Sequence, residues 1–166
     1  MLTAAAFGVL TLHTAVAERQ CASPADQAVF EVQALRSELM VLATGCREDD
    51  SYNAFMRRYQ ADLLANDHAV GAYFKRKFPR TAQQEHDRFV TDMANALSQE
   101  GSKLGSEFCP RNGLIFAEVL ALRNAADLPH YAAGKDLVPA SMGICQEPAP
   151  SAPAKAAKPN MRTANK

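Results

Sequence analysis

The apolar residues of the chain recur with a period near 3.6, which predicts α-helices rather than strands. Ser23 and Pro24 form a typical N-cap and first-turn pair. Five apolar residues follow at alternating spacings of four and three: Ala28, Val32, Leu35, Leu39 and Leu42. They predict a first helix from about Pro24 to Thr44. Because glycine commonly ends a helix in the left-handed conformation, we expect Gly45 to close this helix and Cys46 to lie just beyond it.

A long second helix is predicted to start at the acidic residues Asp49 and Asp50, which suit a helix N-terminus, and to stop at Pro79. Its inner face is read from the same period: Phe55, Tyr59, Leu63, Val70, Phe74 and Phe78. Thr81 and Gln84 have the spacing of a capping box and start a third helix. The buried positions of the third helix are expected to be Phe89, Val90, Met93 and Leu97.

The third helix is expected to fray around Gly101 and Gly105, and Cys109 and Pro110 to break the chain. A shorter fourth helix passes through Leu114, Ile115, Val119 and Leu122. The following "DLPHYAAGKDLVPASMGIC" is rich in Gly and Pro and predicts a loop with one short helical turn. Short links favour antiparallel neighbours. Residues 18–146 are therefore predicted to form one all-α domain, an up-and-down four-helix bundle.

The two ends of the chain differ from this body. The first 17 residues carry no charge and end in Ala-Val-Ala, which predicts a signal peptide, with an uncleaved membrane anchor as the alternative. Residues 147–166 are rich in Pro, Ala and Lys, carry a net charge of +3, and predict a disordered tail. Such a tail is either inert or an extended segment that reaches across the periplasm. We expect a periplasmic or secreted protein with no transmembrane span once the signal is removed.

Four cysteines in an exported chain predict two disulfides in one of three pairings. Cys21 and Cys46 flank a first helix roughly 30 Å long, whereas bridged Cα atoms lie within about 7 Å. Antiparallel helix order brings Cys46 and Cys109 to one end of the bundle and Cys21 and Cys145 to the other. We therefore predict the disulfides Cys46–Cys109 and Cys21–Cys145. Redox activity is the alternative, but no CxxC motif is present.

The composition excludes several functions and supports no cofactor. Lys plus Arg and Asp plus Glu both number 18, so the overall charge does not favour nucleic acid. No Glu lies three residues before a histidine, and CxxCH and HExxH motifs are missing from the sequence. Metal binding is therefore not predicted, and the histidines are read as surface or helix-terminal residues. Nucleotide-binding and hydrolase motifs are also missing.

A few polar residues near the predicted core are candidates for a buried network or a groove: Arg36, Glu38, Tyr52, Asn53 and Asn95. If Arg36 is buried it needs an acidic partner, which the sequence does not identify. Two further groups have a simpler explanation. The acid–histidine cluster at residues 85–87 lies in the first turn of a predicted helix. The basic group at residues 75–80 suits a helix C-terminus, although it also suits phosphate, a lipopolysaccharide head group or an acidic partner.

The segments "ALRSELMVLATGC", "YNAFMRRYQ" and "RFVTDMANALS", followed by "EFC", resemble a group of small exported bacterial helical proteins with no assigned function. The resemblance covers about residues 34–109. It implies an envelope location and a helical, disulfide-bearing domain. It implies no activity and no catalytic residue.

Two functions from different classes follow. The first is a periplasmic binding or interaction protein, whose partner is an envelope protein or an envelope polymer. The second is a small envelope hydrolase with a site in a groove between helices, which would require two acids, or an acid and a histidine, to meet. A mechanical spacer is a third interpretation. The lack of familiar catalytic motifs favours the binding protein, and the sequence does not predict the oligomeric state.

Overall fold

The computed structural model describes residues 22–139, in which all regular secondary structure is helical. The α-helices are α1 (Pro24–Cys46), α2 (Asp49–Arg58), α3 (Gln60–Lys77), α4 (Ala82–Leu104), α5 (Phe108–Asn112), α6 (Ile115–Leu120) and α7 (Leu128–Lys135). Short 3₁₀ turns at Gly105–Glu107 and Ala125–Asp127 precede α5 and α7. The predicted all-α class is confirmed for these residues. The predicted signal peptide at 1–17 and tail at 147–166 lie outside them.

Helix α1 is the central element of the fold. It begins as predicted, with Ser23 as N-cap accepting a hydrogen bond from the Asp26 backbone N–H at 3.2 Å. It contacts α2, α3, α4, α5 and α7, and its middle third is buried on nearly every side. The buried set includes four polar residues: Glu31, Gln33, Ser37 and Glu38. In the predicted four-helix bundle, α1 would lie at one corner and be buried on one side only. The structure does not reproduce that bundle, because it has more helices and places α1 at the centre.

The core has two parts that share α1. One gathers Leu35 and Leu39 with Phe55, Val119 and Leu128, and so joins α1 to α2, α6 and α7. The other is aromatic and joins α1 to α3 and α4 through Phe30, Val70, Phe74, Phe89 and Met93. The predicted inner positions of the second and third helices are thus buried for the most part, but Phe78 remains 43% exposed.

The end of α1 differs from the prediction by two residues. Gly45 stays inside the helix, Cys46 is its last residue, and Arg47 takes the left-handed conformation at φ 61°. A Cβ atom at Gly45 would lie 3.4 Å from the ring of Phe108, an ordinary van der Waals distance, so Gly45 packs on α5 from within the helix. The left-handed position that ends the helix is taken by Arg47 and not by a glycine.

The predicted long second helix is interrupted at Tyr59, between α2 and α3. The Tyr59 backbone has φ −107° and ψ 19°, outside regular helical values. Its buried hydroxyl donates a hydrogen bond of 2.6 Å to the carbonyl oxygen of Val119. This contact with α6, a segment 60 residues away, marks the break in the helix and could not be read from a local period.

The C-terminal third also differs from the prediction. Thr81 makes no side-chain cap bond, so the predicted capping box is not formed. Helix α4 runs through Gly101 and ends before Gly105, and Cys109 and Pro110 lie within α5. The predicted fourth helix is reduced to α6, and the segment expected to be a loop contains α7, which packs on α1 through Leu128 and Ala132. Local glycine and proline content gave no sign of this packing.

The Cys46–Cys109 disulfide is confirmed, with the two Cα atoms 5.7 Å apart. It joins the last residue of α1 to α5. Cys21 and Cys145, the second predicted pair, lie outside the described residues. No helix between residues 22 and 139 combines the length and apolar character that a bilayer crossing requires.

Candidate functional site

A groove of about 830 Å³ lies between α1, α4 and the segment that follows α7. Four carboxylates line it: Glu31, Glu38, Glu100 and Asp136. Its apolar wall is formed by Leu97, Leu104, Phe108, Leu137 and Val138. We call it the acidic groove. Its volume lies within the range of about 300 to 1,000 Å³ that is usual for small-molecule sites.

Helix α1 places two of the carboxylates on the same side. Glu31 and Glu38 are seven residues apart, close to two helical turns, so their side chains point in similar directions. Their separation along the axis is about 10 Å. Glu31 is only 4% exposed and Glu38 only 6%. Buried glutamates are uncommon unless they are paired, so this pair is the most unusual feature of α1.

Burial raises the pKa of both carboxyl groups above the usual glutamate value. For Glu31 the nearby charge of Asp136 raises the pKa further. The Oε2 atom of Glu31 accepts no hydrogen bond from any residue between 22 and 139. A buried acceptor without a donor costs about 1–3 kcal/mol of folding free energy. The groove therefore contains an acceptor that the protein itself leaves unsatisfied within the described part of the chain.

The charge of the groove is only partly neutralised. Glu100 forms an ion pair with Lys103, one turn further along α4, with 2.6 Å between Oε1 and Nζ. For Glu31, Glu38 and Asp136 the structure shows no ion pair with any basic residue from 22 to 139. Three acids from two separate elements thus share one concavity without a cation from the described chain.

Phe108, which belongs to the apolar wall, lies close to α4 because residue 101 is a glycine. A Cβ atom at Gly101 would lie 2.9 Å from Cε2 of Phe108, closer than real contacts allow. Phe108 precedes the disulfide-bonded Cys109, so the ring is held between Gly101 on one side and Gly45 at the end of α1 on the other. The position of this ring therefore depends on Gly101 and on the disulfide next to it.

A second concavity of about 370 Å³ lies on another side of α1, against α3 and α4. Arg36 bonds to Asp67 of α3 at 3.0 Å, which identifies the acidic partner that the sequence left open. Tyr52, Gln33 and His86 also line it. We call it the Arg36 pocket. Gln33 Oε1 and His86 Nε2 are buried and have no hydrogen-bond partner among residues 22–139.

The structure does not bring the five candidate polar residues together. Glu38 lines the acidic groove, whereas Arg36 and Tyr52 line the Arg36 pocket. Asn53 and Asn95 are exposed. Glu31 and Asp136 were missed by the sequence analysis. The seven-residue spacing of Glu31 and Glu38 on a helix with few other acids was an available signal for the first; nothing local indicated Asp136.

Residues of the acid–histidine cluster and of the basic group make contacts within the described chain. Glu85 bonds to Arg88, Asp87 accepts a hydrogen bond from Gln83, and the His86 ring stacks on Phe74. In the basic group, Arg76 pairs with Asp26 in the first turn of α1. Within residues 22–139, no three His, Cys, Asp or Glu side chains gather in an arrangement that could hold a metal ion.

Comparison with known proteins adds no relative. No protein family, no curated protein and no solved structure matches the chain. The class that the fold defines is a disulfide-bonded all-α domain built around one central helix.

Proposed function

We propose that the chain is an exported binding protein of the cell envelope, periplasmic or secreted, and that the acidic groove is its ligand site. The observation that carries the proposal is the groove itself: a concavity of ligand size with an apolar wall and a few polar groups, the usual composition of a binding site. The Cys46–Cys109 bond supports export, because disulfides persist mainly in oxidising compartments.

The finer parts of the sequence prediction belong to the same proposal. The uncharged segment at 1–17 is a signal peptide, Cys21 pairs with Cys145, and the basic tail at 147–166 is disordered. Peptide mapping without reduction, on protein recovered from the periplasm, tests the first two together. A mature N-terminus at Glu18 and a peptide joining Cys21 to Cys145 are expected, and an uncleaved chain with free thiols would contradict export.

Methyl NMR tests the groove as a binding site. The exported protein is titrated with fractions of envelope extract, and the methyl signals of Leu97, Leu104 and Val138 report on the groove. Leu64 is the matched control because it is 57% exposed on α3 and does not line the groove. Shifts at the three groove residues but not at Leu64 are expected. Saturating fractions that shift only signals outside the groove would overturn the assignment.

One observation favours the envelope hydrolase as a second candidate. Glu31, whose pKa is raised, lies near Asp136 in one concave site, which is an arrangement that can serve as a general acid and a general base. The hydrolase predicts release of soluble fragments from purified peptidoglycan or envelope peptides, and loss of that release in Glu31→Gln. Binding without any turnover by the native chain would exclude it for those substrates.

A further inference from the structure

We propose that the ligand of the acidic groove is an organic cation, a protonated amine or a guanidinium joined to an apolar group, and that Glu31 is its anchor. The inference rests on the proposed function and adds the chemical class of the ligand.

The charge of the groove favours a cationic ligand. Glu31 and Glu38 come from α1, Asp136 from the end of α7, and no described basic residue pairs with any of the three. The fourth acid, Glu100, is the only one with a basic partner in the described chain, Lys103. Like charges that line one concavity repel one another, and a bound cation relieves that repulsion.

A buried oxygen atom of Glu31 independently indicates a ligand with hydrogen-bond donors. Glu31 is 96% buried, lines the groove and has an Oε2 atom that receives no hydrogen bond from residues 22–139. Ammonium and guanidinium groups carry several N–H donors. Hydrogen bonds from such cations to carboxylates are shorter and stronger than neutral ones. A cationic head group therefore supplies both the missing donor and the missing charge.

The apolar wall of the groove indicates what the rest of the ligand is. Leu97, Leu104 and Phe108 face the same space as the acids. A bare metal ion would leave this surface without a partner, and no three ligating side chains of residues 22–139 converge on one point. A cation with an apolar body uses both surfaces of the groove.

Calorimetric titration with three matched probes tests the inference. The probes 4-phenylbutylamine, 4-phenylbutanol and 4-phenylbutyrate share a ring and chain and differ in the head group. With the full exported protein at pH 7, we expect the amine to bind at least tenfold more tightly than the alcohol, and the carboxylate most weakly. Equal affinity for amine and alcohol would overturn the proposal that the ligand is a cation, and this result needs no variant.

Variants identify the anchor. Glu31→Gln keeps the shape of the side chain and removes its charge, so it should reduce amine affinity at least tenfold and alcohol affinity by a much smaller factor. Glu107→Gln is the control, because Glu107 is exposed and does not line the groove. Amine binding that survives Glu31→Gln at full strength would remove Glu31 as the anchor. Thermal unfolding of each variant confirms that it is folded.

Proton release gives a readout that a purely structural Glu31 would not change. Burial and Asp136 raise the pKa of Glu31, and Glu38 and Glu100 are the other acids of the groove. A bound cation favours the ionised carboxylate. Repeating the titration at several pH values below 7, in two buffers of different ionisation enthalpy, should show that amine binding releases protons from the protein where Glu31 is partly protonated and that alcohol binding releases none.

The two proposals fail in different ways. Groove methyl signals that respond to an envelope fraction but not to 4-phenylbutylamine would overturn the cation and leave the binding site in place. Methyl signals that respond to neither would remove the groove as a ligand site, and the cation inference with it.

Discussion

The acidic groove and the Arg36 pocket lie on different sides of the same helix, and α1 supplies charged residues to both. In the Arg36 pocket the charge of Arg36 is matched by Asp67. In the acidic groove Glu31, Glu38 and Asp136 have no such match within residues 22–139. Arg36 is therefore already paired within the fold, whereas the acids of the groove have no basic partner in the described residues, and Glu31 also has a buried oxygen without a donor there. This contrast is why we assign the ligand to the groove.

The largest effect is expected from removing the disulfide that holds the groove wall. The double substitution Cys46→Ala and Cys109→Ala frees a loop whose ends are 63 residues apart. We expect the free energy of unfolding to fall by about 4 kcal/mol in the chain-entropy model. Urea denaturation measures the loss. Hydrogen exchange should accelerate more in α5 than in α3, and equal acceleration on both would contradict a special dependence of the groove wall on this bond.

Gly101→Ala perturbs the same wall by crowding. The new Cβ atom would displace the Phe108 ring, which should destabilise the fold by about 1–3 kcal/mol. Gly71→Ala is the matched control in α3, where no atom lies within 4 Å of the new Cβ, and it should raise stability by up to about 1 kcal/mol through helix propensity. Thermal unfolding measures both. A Gly101→Ala protein as stable as Gly71→Ala would show that Phe108 moves freely.

Glu38→Gln tests the unmatched charge through the pH dependence of stability. Since burial raises the pKa of Glu38, the folded protein holds its proton more tightly than the unfolded chain. Stability from this group is complete below the unfolded pKa of about 4.3 and is lost as pH rises through the folded pKa. We expect Glu38→Gln to be more stable than the native protein at pH 7, by roughly 1.4 kcal/mol per unit of pKa difference.

The advantage of Glu38→Gln should vanish near pH 4, where the native carboxyl is also neutral. Urea denaturation at both pH values measures the difference. Glu107→Gln, at an exposed position, should change stability little at either pH. A Glu38→Gln advantage that is the same at pH 4 and pH 7 would exclude titration as its cause.

The smallest effect is expected in the Arg36 pocket. Asp67→Asn leaves Arg36 without its acid, but both side chains are partly exposed, so the loss should be about 1 kcal/mol or less. It should shrink further at high salt, because screening weakens the pair. Asp92→Asn, an exposed position on α4 with no ion pair among residues 22–139, is the control. A salt-independent loss larger than that of the groove variants would reverse the comparison.

Much of the fold was predictable from local patterns. Ser23 and Pro24 marked the start of α1, and the period of 3.6 identified most buried positions of α3 and α4. For α1 it identified Val32, Leu35, Leu39 and Leu42, whereas most of the buried residues of this helix lie off the predicted stripe because neighbours surround it. The pairing of Cys46 with Cys109 followed from helix length and antiparallel order. The break at Tyr59 and the helix α7 were not predictable in this way, because each depends on a contact with a distant segment, Val119 for the first and α1 for the second.

The sequence by itself determined that the described chain is helical, where its first helix begins and that Cys46 is joined to Cys109. These properties depend on backbone preferences and on spacing along one chain. Only the tertiary structure decided that α1 is central, that Arg36 meets Asp67, and that Glu31, Glu38 and Asp136 share one groove. Burial and charge neutralisation depend on which segments meet in space, and such meetings are set by packing across the whole domain.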